Sequence, residues 1–321
     1  MRAQSIVAIV AVVVGITAPG AHAGSAGAGR PPAASSTTPR SSGVFTIGGT
    51  PHPYLIEGTG VTCIVTGLAP LFPPQFSDRL KQRIRFVYVD FKNSWMAESP
   101  ANVENISMDS LVDEVDEVRR ALGLDKVCVV GHSATGFVAV EYALRHPEHV
   151  SHSMLVAVEP FFTKEFQRIH DAFWETDASA DRKAVKRQLD ERLPNATLKS
   201  LSPRDEFAMR YVRNAPKYFY DASYDFTWLW LGRTFSAELI THYVTKIAAD
   251  WDPRPRLARN TVPTFLALGR YDYNVPVVTW DGLRTTPHLT THVFDRSGHF
   301  PMLEEPALFD DRLIRWLDAQ R

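Results

Sequence analysis

A short turn, Gly131-His-Ser-Ala-Thr-Gly136, constrains the fold of this chain more than any other stretch of its sequence. An apolar strand-like run, Val127–Val130, leads into the turn, and a helix-like stretch, Phe137–Leu144, leads out of it. In a strand–turn–helix of this kind, the serine at the apex projects its hydroxyl above the sheet edge, where the following backbone N–H groups also point. Ser133 is therefore a candidate nucleophile.

Thr135 is the one departure from the Gly-x-Ser-x-Gly pattern, because the glycine follows one position later, at Gly136. The position two after the serine should be small, since a side chain there crowds the tight turn. A β-branched side chain must either fit against the neighbouring strand or tilt the turn. Taken alone, the motif leaves open a purely structural turn.

The first 23 residues have the pattern of a secretory signal peptide. Met1 and Arg2 precede an apolar run from Ile6 to Ala18, and Ala21-His-Ala23 resembles a cleavage site. The run is shorter than the roughly 20 residues that span a bilayer, although an uncleaved anchor is the alternative. Residues 24–42 have the composition of a disordered linker. The sequence thus predicts export, with no stable membrane insertion after cleavage.

From residue 43 onward, apolar runs alternate with helix-like stretches. Strands are predicted at residues 44–47, 54–57, 61–65, 86–89, 127–130, 153–158, 262–268 and 290–294, and helices at 76–84, 106–122, 137–146, 275–283 and 306–318. The first two strands form an antiparallel edge hairpin, because glycines and prolines separate them. This rhythm predicts an α/β fold with a mostly parallel, doubly wound sheet.

The rhythm breaks between residues 161 and 252. This stretch is rich in aromatic and charged residues and has no β-branched apolar run that would make a central strand. It is predicted to be a helical cap inserted into a core made of residues 43–160 and 253–321. The cap aromatics pack between helices for the most part, and a few of them line any cavity beneath.

The net charge of the chain bears on which kind of partner it binds. A formal net charge of −1 argues against nucleic acid or an anionic membrane as the main partner, so a small-molecule substrate is expected.

Cys63 and Cys128 lie in apolar runs and are predicted to be buried free thiols, with a disulfide as the alternative if their strands are neighbours. His146, His149 and His152 straddle a helix end and a strand start, so no metal or other cofactor is predicted.

Three polar residues follow the carboxyl ends of predicted parallel strands, where open α/β sheets bind their ligands. They are Ser133, Asp272 and His299. The order Ser, Asp, His is the one expected for an α/β hydrolase. Asp295 and Glu159 are rival candidates for the acid.

The chain resembles the cap-bearing α/β hydrolases, nearest to their proline iminopeptidase-like and esterase branch. The resemblance extends from Val44 to the C-terminus, and its most specific motif is Ser297-Gly-His-Phe-Pro-Met-Leu-Glu-Glu-Pro306. It implies that Ser133 is the nucleophile, that His299 is general base and then general acid, and that Asp272 orients His299.

The resemblance also implies an oxyanion hole made by the backbone N–H groups of Leu68 and Ala134. Relatives usually have His-Gly where this chain has Thr66-Gly67, and an Asp-x-Arg-Gly-like stretch where it has Asp90-Phe-Lys-Asn-Ser94. Backbone donors do not depend on the missing histidine side chain, so the hole can survive the change.

The leading hypothesis is an exported serine hydrolase that cleaves an uncharged or weakly polar ester-like substrate through an acyl-enzyme on Ser133. One alternative is an aminopeptidase for N-terminal proline, which needs cap acids such as Glu165, Glu175 or Glu206 to bind the ammonium group. A lactone or amide hydrolase of a secondary-metabolite pathway is another. A non-enzymatic alternative is a ligand-binding protein that retains the fold.

Overall fold

One eight-stranded sheet runs through the part of the chain that the computed structural model describes, which is residues 38–47, 49–67, 69–91, 102–230, 233 and 235–320. The strands are β1 (Arg40–Ile47), β2 (Thr50–Glu57), β3 (Val61–Val65), β4 (Ile84–Val89), β5 (Val127–His132), β6 (Val150–Val156), β7 (Thr264–Gly269) and β8 (Leu289–Phe294). Their order is β1-β2-β4-β3-β5-β6-β7-β8. The pairs β1–β2 and β2–β4 are antiparallel and the others are parallel, which confirms the predicted α/β fold and its edge hairpin.

Helices connect the strands and fill the long segment between β6 and β7. Those in the described residues are α1 (Asp78–Lys81), α2 (Met108–Ala121), α3 (Phe137–Arg145), α4 (Lys164–Asp177), α5 (Ala180–Arg192), α6 (Asn195–Lys199), α7 (Pro203–Arg213), α8 (Ala215–Tyr218), α9 (Thr227–Trp230), α10 (Ala237–His242), α11 (Arg254–Leu257), α12 (Pro301–Glu304) and α13 (Pro306–Ala319). A π-helical turn, Tyr243–Ile247, continues α10. None of these helices is long and apolar enough to cross a membrane.

Several predicted elements differ from the structure in their bounds or their type. The helix predicted at 76–84 is only the single turn α1, because the chain must extend into β4 from Ile84. The helix predicted at 275–283 is a 3-10 helix, Val277–Leu283, in keeping with its β-branched start and with Gly282. β1 begins at Arg40, so residues 40–42 belong to the edge strand rather than to the linker. The predicted signal peptide and most of the linker lie outside the described residues.

Cys63 and Cys128 lie opposite each other on the neighbouring parallel strands β3 and β5. Both are buried and both are free thiols. Burial raises the pKa of the Cys63 thiol well above its usual value. The prediction of buried free thiols is therefore confirmed, even though the strands are neighbours.

The two ends of the helical segment between β6 and β7 are joined at its base. Phe162 and Trp251 form an antiparallel bridge, in which the Phe162 N–H donates to the Trp251 carbonyl at 2.7 Å. The Trp251 ring stacks on Phe137 of α3 with centroids 4.0 Å apart. The inserted segment is thereby fixed to the helix that follows Ser133.

At the place where the two ends of the inserted segment meet, the buried carboxylate of Glu141 on α3 binds neighbouring side chains. The Trp251 indole N–H donates to Glu141 Oε1 at 2.8 Å, and Arg256 and Arg145 each donate to Glu141 Oε2 at 2.8 Å. Burial opposes ionisation, but the bonds from Arg256, Trp251 and Arg145 prevail and lower the pKa of Glu141 below its usual 4.5. The carboxylate therefore stabilises the fold as an anion.

Replacing Glu141 with glutamine is expected to lower the free energy of unfolding by about 1 to 3 kcal/mol, because charge-assisted bonds are lost while both arginines can turn to solvent. Urea denaturation of both proteins measures the change. Since the folded pKa lies below 4.5, this stabilisation is complete above that pH and is lost as the pH falls through the folded pKa. Glu148→Gln, at an exposed acid nearby, is the control. An equal loss of stability in both variants would contradict the prediction.

Candidate active site

Ser133 lies directly after β5, at the start of a 3-10 turn, Ser133–Gly136, that leads into α3. Its φ is 52°, in the left-handed region that a side chain rarely adopts, as expected for a serine held on a strained turn. A Cβ on Gly131 would lie 2.7 Å from the Gly136 Cα. The turn therefore needs both glycines, and Gly136 takes part in the close approach although it comes one position late.

Thr135 fits the turn because Gly67, two residues after β3, leaves room for it. A Cβ on Gly67 would lie only 2.4 Å from the Thr135 Cβ, and Gly67 has a φ of 74°. The Thr135 hydroxyl donates to the His132 carbonyl at 2.8 Å, which ties the side chain to the turn. The structure thus answers the question raised by the sequence: Thr135 packs against the neighbouring strand's end.

Replacing Gly67 with alanine is expected to lower the free energy of unfolding by at least about 2 kcal/mol, because the new Cβ is both strained and in contact with Thr135. Adding Thr135→Gly removes the contact but not the unfavourable φ. The double variant should therefore recover about 1 kcal/mol or more relative to the sum of the single changes. Chemical denaturation of the four proteins measures this coupling, and strict additivity would contradict it.

Asp272 and His299 come together at the carboxyl ends of β7 and β8. The His299 Nδ1–H donates to Asp272 Oδ2 at 2.7 Å. The other carboxyl oxygen, Asp272 Oδ1, accepts the backbone N–H groups of Asn274 at 2.9 Å and Val275 at 2.8 Å. With its proton on Nδ1, His299 keeps a lone pair on Nε2. His299 lines the same cavity as Ser133.

The two rival acids are placed differently. Asp295 is exposed on the loop after β8. Glu159 follows β6 and is buried, but its carboxyl is not bonded to His299, and its Oε2 has no hydrogen-bond partner among the described residues. Burial raises the pKa of Glu159 to about 8. Of the three candidates, the structure brings only Asp272 into contact with the histidine.

Burial also governs the ionisation of the histidine. It lowers the pKa of His299 to about 3, so the imidazole is neutral at neutral pH. Burial raises the pKa of Asp272, whereas the N–H groups of Val275 and Asn274 favour its carboxylate form.

His132, which the sequence analysis did not single out, supports the loop that carries His299. Its Nε2–H donates to the His299 carbonyl at 3.0 Å, and the two rings lie 4.7 Å apart in an edge-on arrangement. Burial lowers the pKa of His132 to about 3 and so keeps it neutral. No sequence signal marks this role, because the bond joins residues that are 167 positions apart.

A short stretch of the inserted segment also positions the histidine. The His299 N–H donates to the Tyr218 carbonyl at 2.6 Å, and the Tyr273 N–H donates to the Lys217 carbonyl at 2.9 Å. The buried Arg182 side chain donates to the Phe219 carbonyl at 2.6 Å, which fixes the same stretch. Residues 217–219 are thus part of the frame around His299 rather than a loose cover.

Of the two predicted oxyanion donors, Ala134 lies within the described residues and Leu68 does not. Ala134 lines the cavity beside Ser133, and its carbonyl accepts the Tyr243 hydroxyl at 2.7 Å from the π-helical turn. That bond restrains the peptide immediately after the candidate donor. Leu68 lies outside the described residues, so its predicted role stays a prediction.

The cavity over Ser133 has a volume of about 20 Å³. Its walls are mainly apolar side chains, namely Leu71, Phe72, Tyr211, Leu229, Trp230 and Phe300. This volume accommodates about one water molecule.

The three acids proposed to bind a substrate ammonium group form ion pairs with other residues. Glu165 pairs with Arg254 at 3.0 Å, Glu175 with Lys183 at 3.4 Å, and Glu206 with Arg210. None of the three is among the residues that line the cavity.

The three histidines with metal-like spacing do not form a common site. His146 and His149 lie near Glu148, whereas His152 packs edge-on against Trp316 at 5.6 Å. Within the described parts of the chain, no group of three or more His, Cys, Asp or Glu residues is arranged to hold a metal ion.

Comparison with known proteins places the chain among the hydrolases of this fold. Residues 72–306 match the family model described as the alpha/beta hydrolase fold. The AB hydrolase superfamily protein YclE of Bacillus subtilis (strain 168) is 34% identical over 83% of this chain and 94% of its own length. A proline iminopeptidase of Heyndrickxia coagulans is 24% identical over 81% of this chain and 87% of its own length.

Solved structures agree on the fold. An alpha/beta fold family hydrolase from Bacillus anthracis str. Sterne has a TM-score of 0.66 at 18% identity and covers 88% of this chain and 99% of its own. The esterase EaEST from Exiguobacterium antarcticum has a TM-score of 0.58 at 20% identity and covers 86% of this chain and 98% of its own.

Proposed function

The chain belongs to the α/β-hydrolase family, and from this premise we propose that it is a serine hydrolase that cleaves an uncharged or weakly polar ester through an acyl-enzyme on Ser133. One observation carries the proposal. The His299 imidazole is bonded to Asp272 at 2.7 Å and shares one cavity with Ser133, which sits on a strained turn.

In the proposed reaction, the Ser133 Oγ attacks the ester carbonyl carbon while His299 Nε2 takes the hydroxyl proton. Asp272 accepts the hydrogen bond from His299 Nδ1–H. This bond keeps the proton on Nδ1, leaves Nε2 free to take the serine proton, and stabilises the imidazolium that forms. The Ala134 N–H, with the Leu68 N–H as its proposed partner, binds the oxyanion. His299 then donates its proton to the departing alcohol, and the same steps with water release the acid.

The choice of an ester over an N-terminal amine rests on the cavity. Its walls are mainly apolar, and Glu165, Glu175 and Glu206 do not line it. A substrate ammonium would therefore leave its water shell without gaining an anionic partner there, which is unfavourable. Proline arylamide is the comparison substrate, because similar proteins are named as proline iminopeptidases.

A fluorophosphonate probe tests the nucleophile, because it reacts with an activated serine and leaves a mass tag on it. We expect one tag, on Ser133, that is lost in His299→Ala while the protein stays folded by circular dichroism. Short acyl esters should be hydrolysed faster than proline arylamide. Folded protein that takes no tag would favour a ligand-binding protein of the same fold, and faster arylamide cleavage would favour the aminopeptidase.

Export is a second part of the proposal, and it rests on the pattern of residues 1–23. Expression of the full chain in a bacterial host followed by N-terminal sequencing of the exported protein tests it. A start at Gly24 supports cleavage after Ala23, and retention of Met1 in the cytoplasmic fraction contradicts export.

A further inference from the structure

Two residues that line the Ser133 cavity carry polar atoms that have no role in the mechanism above. Gln75 and Trp230 both line this cavity, and each is only 3% exposed. Gln75 Oε1 and Trp230 Nε1 are buried and have no hydrogen-bond partner among the described residues. Buried polar atoms in native proteins are nearly always paired, so two such atoms around one cavity require an explanation.

The hydrogen bond made by Gln75 Nε2 determines which atom of the side-chain amide is unpaired. Gln75 Nε2 donates to the Leu71 carbonyl at 2.9 Å. Exchanging the amide oxygen and nitrogen would place two carbonyl oxygens at that distance, which is unfavourable, so Oε1 is the unpaired atom. Gln75 therefore contributes a hydrogen-bond acceptor from the core side of the cavity, in the connection between β3 and β4.

The free atom of Trp230 is fixed by its aromatic neighbours. The indole stacks on Tyr211 with centroids 4.3 Å apart and packs on Phe235 at 5.5 Å. This packing prevents the ring from turning towards another acceptor. An indole N–H can only donate, so Trp230 contributes a hydrogen-bond donor from the cap side, at the end of α9.

A free acceptor on Gln75 and a free donor on Trp230 match a substrate group that carries both a donor and an acceptor. A secondary amide carries both, because its N–H and C=O belong to one planar unit. The cavity has room for about one water molecule, and a substrate group that displaces water must restore its hydrogen bonds. A purely alkyl substrate leaves both protein atoms unpaired.

We infer that Gln75 and Trp230 form a subsite for a secondary amide in the substrate, with Gln75 Oε1 accepting the amide N–H and Trp230 Nε1 donating to the amide carbonyl. This inference rests on the proposed ester hydrolysis at Ser133 and narrows its substrate to esters that carry an amide in the acyl or the alcohol part. Gln75 and Trp230 are thus specificity residues and take no part in the bond changes.

Matched ester triplets test the two bonds separately. The amide members are the methyl esters of N-acetylglycine and N-acetyl-β-alanine and the acetate ester of N-acetylethanolamine. In each keto member CH₂ replaces the amide N–H, and in each alkyl member CH₂ also replaces the amide carbonyl. The kcat/KM of each ester is measured by titration of the acid released.

Gln75→Met should lower the amide-to-keto ratio of kcat/KM by about 5- to 50-fold in at least one triplet, because the acceptor for the substrate N–H is lost. The bond from Gln75 Nε2 to the Leu71 carbonyl is lost as well, but that loss is common to all members of a triplet. Trp230→Phe should lower the keto-to-alkyl ratio in the same triplet by a similar factor. Intrinsic ester reactivity cancels when each ratio is divided by that of the wild-type protein.

Gln82→Met is the matched control, since it makes the same replacement at an exposed glutamine outside the residues that line the cavity and should leave both ratios unchanged. Ratios that do not move in any triplet for Gln75→Met and Trp230→Phe, while Ser133 is still required for alkyl-ester hydrolysis, would overturn the subsite. Alkyl-ester hydrolysis that persists in Ser133→Ala would instead overturn the proposed function.

Discussion

Replacing Ser133 with alanine is expected to lower kcat for ester hydrolysis by roughly 10⁴ to 10⁶, while the fold is retained. The variant lacks the Oγ that forms the acyl-enzyme, so His299 and the Ala134 N–H have no attacking group to act with. Alanine also adopts the φ of 52° no more easily than serine, so the strain in the turn is unchanged. Single-turnover and steady-state assays with a short acyl ester measure the loss.

Ser153→Ala is the matched control for this change. Ser153 is a buried serine on β6, the strand next to β5, and its hydroxyl has no partner among the described residues. It lies away from the Ser133 cavity, so its removal should leave kcat within a factor of about two. Hydrolysis by Ser133→Ala at a rate near that of Ser153→Ala would exclude Ser133 as the nucleophile.

The sequence was sufficient to predict the sheet and the three residues at its strand ends. β5 and β7 are mainly apolar runs that end at His132 and Gly269, and β8 mixes polar and apolar residues up to Phe294. Parallel strands bring their carboxyl ends to one edge of the sheet. That is why Ser133, Asp272 and His299 were identified together although they are far apart in the chain. The resemblance to known hydrolases supplied their separate roles.

The accommodation of Thr135 could not be predicted in the same way. It depends on Gly67, which belongs to another strand end, and a one-dimensional pattern does not show which residues face each other across a sheet. The hydrogen bonds that His299 makes with His132 and with the Tyr218 carbonyl could not be predicted for the same reason. Periodicity predicts a helical segment but not which of its carbonyls points at a particular N–H.

These contacts also limit how the cavity can widen for a substrate. The Tyr218 carbonyl holds the His299 backbone, so moving residues 217–219 away would displace the proposed base. Trp230 and Leu229 are on α9, which is not bonded to the His299 loop through its backbone in this way. We therefore expect the histidine frame to stay in place when the cavity opens.

Replacing Asp272 with asparagine is expected to lower kcat by about 10⁴, because the asparagine imposes the wrong tautomer on His299. The structure determines how the new amide is oriented. Asp272 Oδ1 accepts the N–H groups of Asn274 and Val275, so the amide oxygen must remain there. The amide NH₂ then faces His299 Nδ1, which becomes the acceptor, and the proton moves to Nε2, where it blocks general-base action.

Glu159→Gln provides the comparison, since Glu159 is the buried acid at the neighbouring strand end and makes no bond to His299. We expect this variant to keep kcat within about tenfold of the wild-type value, and fluorophosphonate labelling of Ser133 should be slowed only in Asp272→Asn. The pattern is decisive because both changes remove one buried carboxyl and preserve its shape. If Glu159→Gln were the slower of the two, the acid that orients His299 would be Glu159 and the role proposed for Asp272 would be wrong.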